Sequence, residues 1–210
     1  MINTIHKIGI VPVIKLNRPC QDAAPLADAL CAGGVPIAEI TFRAEGAEKA
    51  ISIMKDRHPQ MLVGGGTVLT CRQVDQVMEA GGQFVVTPGL DEALVRYCQD
   101  KGILVFPGCT TPTDYHTAYR LGLKVLKFFP AEQSGGLSKI KAMAAPFPMF
   151  QIMPTGGITL ENLGQYSAAP MICACGGSYM VTEDLIRAGN WDEITKRCQQ
   201  SVNIIKEVRK

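Results

Sequence analysis

The feature that most constrains this chain is an alternation. Eight short runs rich in Val, Ile, Leu and Phe lie at 8–14, 38–42, 61–64, 84–86, 104–106, 125–128, 151–153 and 172–174. Each is short enough to be a strand. Helical stretches are expected between and after them, at 23–32, 47–57, 74–80, 92–99, 114–121, 138–144, 160–166 and 191–208. Leu26, Ala27 and Leu30 line one face of the first, and Ala47, Ala50, Ile51 and Met54 one face of the second. Thr70 with Gln73 three residues on carries a helix-start signature, as does Thr159 with Glu161 in its first turn.

Strand followed by helix, repeated about eight times in 210 residues, implies an α/β fold with parallel strands. An open doubly wound sheet announces itself by a Gly-rich turn after the first strand. Here that strand runs into Pro12-Val13-Ile14-Lys15. A closed barrel instead gathers polar and Gly residues at the C-terminal ends of its strands, where all the βα loops share one face. Glu39-Ile40-Thr41-Phe42-Arg43, Gly64-Gly65-Gly66-Thr67, Thr87-Pro88-Gly89, Pro107-Gly108-Cys109-Thr110, Lys127-Phe128-Phe129-Pro130, Thr155-Gly156-Gly157 and Gly176-Gly177-Ser178 fit that pattern. The reading is a single (β/α)8 TIM barrel over residues 1–210.

Composition excludes several classes. The net charge is +2 and no basic stripe stands out, so no nucleic-acid footprint is expected. No apolar run approaches the roughly 18 residues of a membrane span. The three His are scattered without metal-ligand spacing, and no metal or cofactor is expected. Eight Cys would suit a disulfide framework in a small secreted chain. The segment from Met1 to Lys7 lacks an apolar signal region, however, and Cys31, Cys98 and Cys173 sit in apolar surroundings. Reduced thiols in a cytoplasmic protein are therefore expected.

Three groups of residues carry chemistry. Lys127 places a cation inside an apolar strand, where desolvation favours the neutral amine that attack on a ketone needs. The competing reading is a buried stem whose head reaches the rim. Glu39 interrupts the second run, and Thr41 and Arg43 share its face if the chain stays extended. A carboxylate suits proton transfer and a guanidinium suits two-point carboxylate binding, but a structural Glu39–Arg43 ion pair is equally consistent with the spacing. Thr155-Gly156-Gly157 and Gly176-Gly177-Ser178, at adjacent late strand ends, would let backbone N–H groups approach an anion, and 182–188 would supply the short extra helix common beside such sites. Gly64-Gly65-Gly66-Thr67 is less specific and reads equally as a turn.

Taken in order, Glu39-Ile-Thr-Phe-Arg43, Gly64-Gly-Gly-Thr67-Val-Leu, Thr87-Pro88-Gly89, Lys127-Phe-Phe-Pro-Ala-Glu132, Pro154-Thr-Gly-Gly-Ile158 and Gly176-Gly-Ser178 resemble the 2-keto-3-deoxy-6-phosphogluconate aldolase / 4-hydroxy-2-oxoglutarate aldolase family, class I aldolases of the Entner–Doudoroff type. The resemblance spans nearly the whole chain. It implies a metal-free barrel, usually a homotrimer, that cleaves a small phosphorylated 2-keto-3-deoxy sugar acid to pyruvate and an aldehyde. By that resemblance Lys127 is the Schiff-base lysine and Glu39 the general acid/base. Arg43, Thr67 and Pro88 surround the pyruvyl carboxylate, and Phe129 is an aromatic wall. Gly156, Gly157, Gly177 and Ser178 form the phosphate cradle, with Thr155 and Gly176 beside them. The Thr-Phe-Arg and Phe-Phe-Pro-Ala-Glu strings are more similar to the gluconate branch than to the galactonate branch. Local departures are Gly64-Gly65-Gly66 in place of a Gly-Ala-Gly, Tyr179 in place of a Trp, and the segment 15–20 at the barrel mouth. Two other readings compete: a phosphosugar isomerase or epimerase with Glu39 as base, and a non-catalytic phosphate-ligand-binding protein.

Overall fold

The computed structural model describes residues 1–209. A helix α1 (Ile2–Ile8) precedes the first strand β1 (Ile10–Ile14). Then follow α2 (Pro19–Ala32), β2 (Ile37–Thr41), α3 (Ala47–Arg57), β3 (Leu62–Gly66), α4 (Cys71–Glu79), β4 (Phe84–Val86), α5 (Glu92–Asp100), β5 (Leu104–Phe106), α6 (Pro112–Arg120) and β6 (Val125–Phe128). A single 3-10 turn at Glu132–Ser134 leads into α7 (Gly136–Ala144), and β7 (Gln151–Pro154), α8 (Leu160–Ser167), β8 (Cys175–Gly177), α9 (Glu183–Arg187) and α10 (Trp191–Val208) complete the described chain.

All strand pairs are parallel. Six strands run in the order β5-β4-β3-β2-β1-β8, and β6 pairs with β7. Backbone bonds join the two sheets at both seams. Lys127 N–H donates to Pro107 O at 2.9 Å and Cys109 N–H to Lys127 O at 2.8 Å, while Cys173 N–H donates to Ile152 O at 3.0 Å. The ring of eight strands is thereby closed into the expected barrel, with strands buried on both faces, as parallel sheets are. Every residue of β2, β4 and β6 is buried, and one apolar cluster runs through the barrel and its helical jacket.

Two boundaries differ from the sequence reading. The run 8–14 is not one strand. Ile2, Ile5 and Ile8 recur at helical spacing, and Gly9, at φ +76°, ends α1 in a left-handed cap before β1 begins. Ile2 shares a surface hollow with Leu104 and Val125, the first residues of β5 and β6, so α1 lies across the N-terminal end of the barrel. The eighth strand is centred three residues later than 172–174. Ile152 N–H donates to Met171 O, and β1 pairs with Cys175, Gly176 and Gly177. Two glycines carry no apolar signal, so the hydrophobic run marks only the start of the pairing, where Ile172 bridges Ile152, and not the three residues that pair with β1.

Candidate active site

Glu39 is the third residue of β2, fully buried, and points into the barrel. Its room comes from β3. A Cβ at Gly66 would fall 2.6 Å from Glu39 Cγ, inside any real carbon–carbon contact, so the carboxylate fits only because position 66 has no side chain. Gly65, where the resemblance implies an Ala, has its would-be methyl space occupied by Val77.

Lys127 is the third residue of β6 and only 5% exposed. Its Nζ stands 3.4 Å from Glu39 Oε1 and 5.2 Å from the centre of the Phe129 ring. The ammonium therefore neither snorkels nor stands alone: it crosses the barrel to a carboxylate 88 positions earlier in the chain. Glu39 Oε2 is buried and has no hydrogen-bond partner among the described residues. One carboxylate oxygen is thus engaged by the amine and the other is free to accept a proton.

Arg43 lies beyond the end of β2, where the chain turns, so it does not continue the strand face. Its guanidinium folds back instead: Nε donates to Thr41 Oγ1 at 3.3 Å, and Thr41 donates to Ile14 O at 2.9 Å. Arg43 is held by a hydroxyl that also ties β1 to β2, and Glu39 pairs with Lys127 and not with Arg43. The structural Glu39–Arg43 ion pair is therefore absent among the described residues.

A cavity of about 120 Å³ opens at the C-terminal ends of the strands. Arg43 and Phe129 form one side of it. Thr155, Gly156 and Gly157, after β7, and Gly176, Gly177 and Ser178, from β8 onward, form the other, with Val13 and Ile158 completing the wall. The two glycine loops meet because Thr155 bridges Gly176 directly. Thr155 Oγ1 is buried without a hydrogen-bond partner among the described residues. Thr67, half-buried at φ +53°, and Pro88, half-buried on the β4 loop, are not among this cavity's lining residues.

The segment 15–20 also finds a role. Lys15 Nζ meets Glu183 Oε2 at 3.1 Å and Asn17 donates to the same oxygen, tying the loop after β1 to α9. Those bonds hold the Glu183 carboxyl below its ordinary range. A larger hollow of about 290 Å³ continues from the cavity past Ser178 and Arg43 to Lys15 and Glu183. Tyr179 turns away from it and donates to Ser201 on α10. Sequence reasoning missed Val13, an apolar residue within β1 that carries no chemical signal of its own. It also missed Lys15 and Glu183, whose pairing 168 positions apart has no local signature.

Lys127 and Glu39 do not themselves line the cavity, which their neighbours Phe129 and Arg43 do, and the arrangement has known counterparts. A family model described as "Aldolase: KDPG and KHG aldolase" matches residues 1–197. The chain belongs to the KDPG and KHG aldolase family. As a member it is a carbon–carbon lyase, and the isomerase and non-catalytic alternatives fall away. A 2-dehydro-3-deoxy-phosphogluconate aldolase of Haemophilus influenzae is 45% identical over 98% of this chain and 97% of its own. The KHG/KDPG aldolase of Escherichia coli K12 is 40% identical over 92% of this chain and 90% of its own. In three dimensions, a KDPG aldolase from Legionella pneumophila, holding pyruvate captured at low pH as a covalent carbinolamine intermediate, superposes with a TM-score of 0.90. It shares 34% identity, and the match covers 95% of this aldolase and 97% of that chain.

Proposed function

We propose that this aldolase cleaves 2-dehydro-3-deoxy-6-phosphogluconate to pyruvate and glyceraldehyde 3-phosphate, and also 4-hydroxy-2-oxoglutarate to pyruvate and glyoxylate. The observation that carries the reading is the buried Lys127–Glu39 pair, 3.4 Å apart inside the barrel. In the first step Lys127 passes its proton toward Glu39, and its neutral Nζ adds to the C2 ketone. Glu39 gives that proton to the departing hydroxyl, so loss of water leaves an iminium, which is an electron sink, and Glu39 is again a carboxylate. Glu39, with Oε2 free, takes the C4 hydroxyl proton directly or through water. The C3–C4 bond then breaks, its electron pair passes into the iminium to give an enamine, and the aldehyde departs. The enamine is protonated at C3, and water hydrolyses the resulting iminium to pyruvate and free Lys127. The iminium polarises the carbon that a metal would otherwise activate, so the reading is a metal-independent mechanism without a cofactor.

The remaining roles follow the family resemblance, with Thr67 and Pro88 lying outside the lining of the cavity. Arg43, with Thr67 and Pro88, takes the pyruvyl carboxylate, and Phe129 flanks the iminium. Gly156, Gly157, Gly176, Gly177 and Ser178, with Thr155, take the phosphate through backbone N–H groups and one hydroxyl. The product chemistry fits the Entner–Doudoroff branch of carbohydrate metabolism. No helix among the described residues is long and apolar enough to cross a membrane. A cytoplasmic homotrimer acting on a small-molecule substrate completes the reading. The test is a pyruvate-release assay on purified protein with the gluconate, galactonate and 4-hydroxy-2-oxoglutarate substrates. Turnover of the gluconate substrate above the galactonate epimer is expected, and a preference for the epimer would overturn the branch assignment.

A further inference from the structure

One polar pair lies outside the cavity and has no part in the mechanism above. Glu132, in the 3-10 turn that follows β6, accepts a hydrogen bond from Tyr166 of α8, 34 positions later. Tyr166 is buried, and burial together with Glu132 raises its phenol well above the ordinary range, so it remains a donor. The Glu132 carboxylate sits against Gly136, whose would-be Cβ falls 3.2 Å from Glu132 Oε1 and 3.4 Å from the Tyr166 hydroxyl.

The backbone of the same turn grips the loop after β7. Ala131 N–H donates to Thr155 O at 2.8 Å, and Glu132 N–H donates to Gly156 O at 3.1 Å. The Glu132 stem lies directly over Gly157: a Cβ there would fall 2.6 Å from Glu132 Cβ. Asn162 of α8 also donates to Gly157 O at 2.9 Å and accepts from Thr159 N–H at 2.9 Å. Gly156 and Gly157 both adopt positive φ, a conformation with little intrinsic stiffness in glycine. Their N–H groups are useful for an anion only if their directions are fixed from outside.

The geometry points to Glu132 and Tyr166 as a brace that orients the 155–157 loop toward the substrate phosphate, positioning residues that set the preference for phosphorylated over unphosphorylated substrate. The inference rests on the assignment of that loop to phosphate. Because the brace begins five residues after Lys127, it fixes the loop relative to the strand that carries the nucleophile. A loose loop would waste binding energy from the phosphate, which lies far from the bond that breaks.

The experiment measures kcat and KM for 2-dehydro-3-deoxy-6-phosphogluconate and 4-hydroxy-2-oxoglutarate in Tyr166→Phe, Glu132→Ala, Glu132→Gln, the Tyr166→Phe/Glu132→Ala double variant and Ser178→Asp. The readout is the ratio of kcat/KM for the two substrates. Tyr166→Phe and Glu132→Ala are each expected to lower it by about tenfold, the scale of one hydrogen bond. The loss should appear chiefly in KM for the phosphorylated substrate. Glu132→Gln, which keeps an acceptor for Tyr166, should retain most of the parental ratio. The double variant should be no worse than either single one, as expected for two halves of one contact. Glu132 is exposed, so its variants remain informative if Tyr166→Phe fails to fold. If Tyr166→Phe and Glu132→Ala slow both substrates equally while Ser178→Asp still discriminates, the pair is only a fold contact and the inference is wrong. If Ser178→Asp also fails to discriminate, the phosphate assignment itself is wrong and the brace falls with it.

Discussion

Replacing Gly66 with Ala is a direct probe of the carboxylate proposed as the acid/base, Glu39, that leaves its chemistry untouched. The added methyl would lie 2.6 Å from Glu39 Cγ and 2.8 Å from Cδ. Carbon contacts settle at about 3.5–4.0 Å, so one of the two must withdraw by about 1 Å. β3 is fixed by ladders to β2 on one side and β4 on the other, which leaves the Glu39 side chain as the softer partner. Displacing a reacting group by about 1 Å costs on the order of a hundredfold in rate. Overpacking also costs about 1–3 kcal/mol of stability, and each kcal/mol lowers Tm by about 2–4 °C at this chain length. The assay is kcat/KM by pyruvate release, with a melting curve for each variant. Gly64→Ala is the control, since the nearest atoms its methyl would meet all belong to the Phe84 ring. It should lose stability on the same scale while losing much less activity. A Gly66→Ala enzyme that folds and keeps kcat/KM within about threefold of the parent would refute the placement of Glu39 at the reacting atoms.

Other outcomes test the rest of the site. Ser178→Ala should weaken handling of the phosphorylated substrate by roughly one to two decades, the value of one hydrogen bond to a charged group, about 1.5–3 kcal/mol. Ser178→Asp should do more by setting a carboxylate against the phosphate, and both should spare 4-hydroxy-2-oxoglutarate by comparison; equal losses on the two substrates would contradict the cradle. Thiol labelling of the native protein at pH 8 should modify the exposed Cys20 and Cys71 first. Burial pushes Cys98 and Cys173 up to about 11, and Cys175 and Cys198 up to about 12, so in the folded state these stay protonated thiols until pH rises toward those values. Prompt labelling of any of these four, measured by peptide mass mapping, would contradict that picture.

The barrel was legible because its strands are buried on both faces, so each leaves a continuous apolar run, and because its loops concentrate Gly and polar residues at one end. Lys127 and Glu39 were legible for the same reason: a charge inside such a run is conspicuous. What escaped were features without contrast. α1 merges its Ile residues into those of β1, and only the left-handed cap at Gly9 separates them. β8 ends in two glycines that look like loop. Arg43 reaches the cavity by a turn and a hydroxyl contact, not by strand alternation. Which partner Glu39 would choose depended on closing β2 against β6 across the barrel, a distance of 88 positions that no local pattern encodes.

The central claim is that Lys127 forms the covalent intermediate, and borohydride trapping with pyruvate tests it most directly. Reduction of the imine fixes the three-carbon unit on whichever amine attacked, and peptide mass mapping locates it. A single adduct on Lys127 is expected in the parent, and in Lys127→Met a folded protein with neither adduct nor aldol cleavage. An adduct on another lysine such as Lys124, which precedes β6 and is exposed to solvent, or cleavage that survives in Lys127→Met, would contradict it.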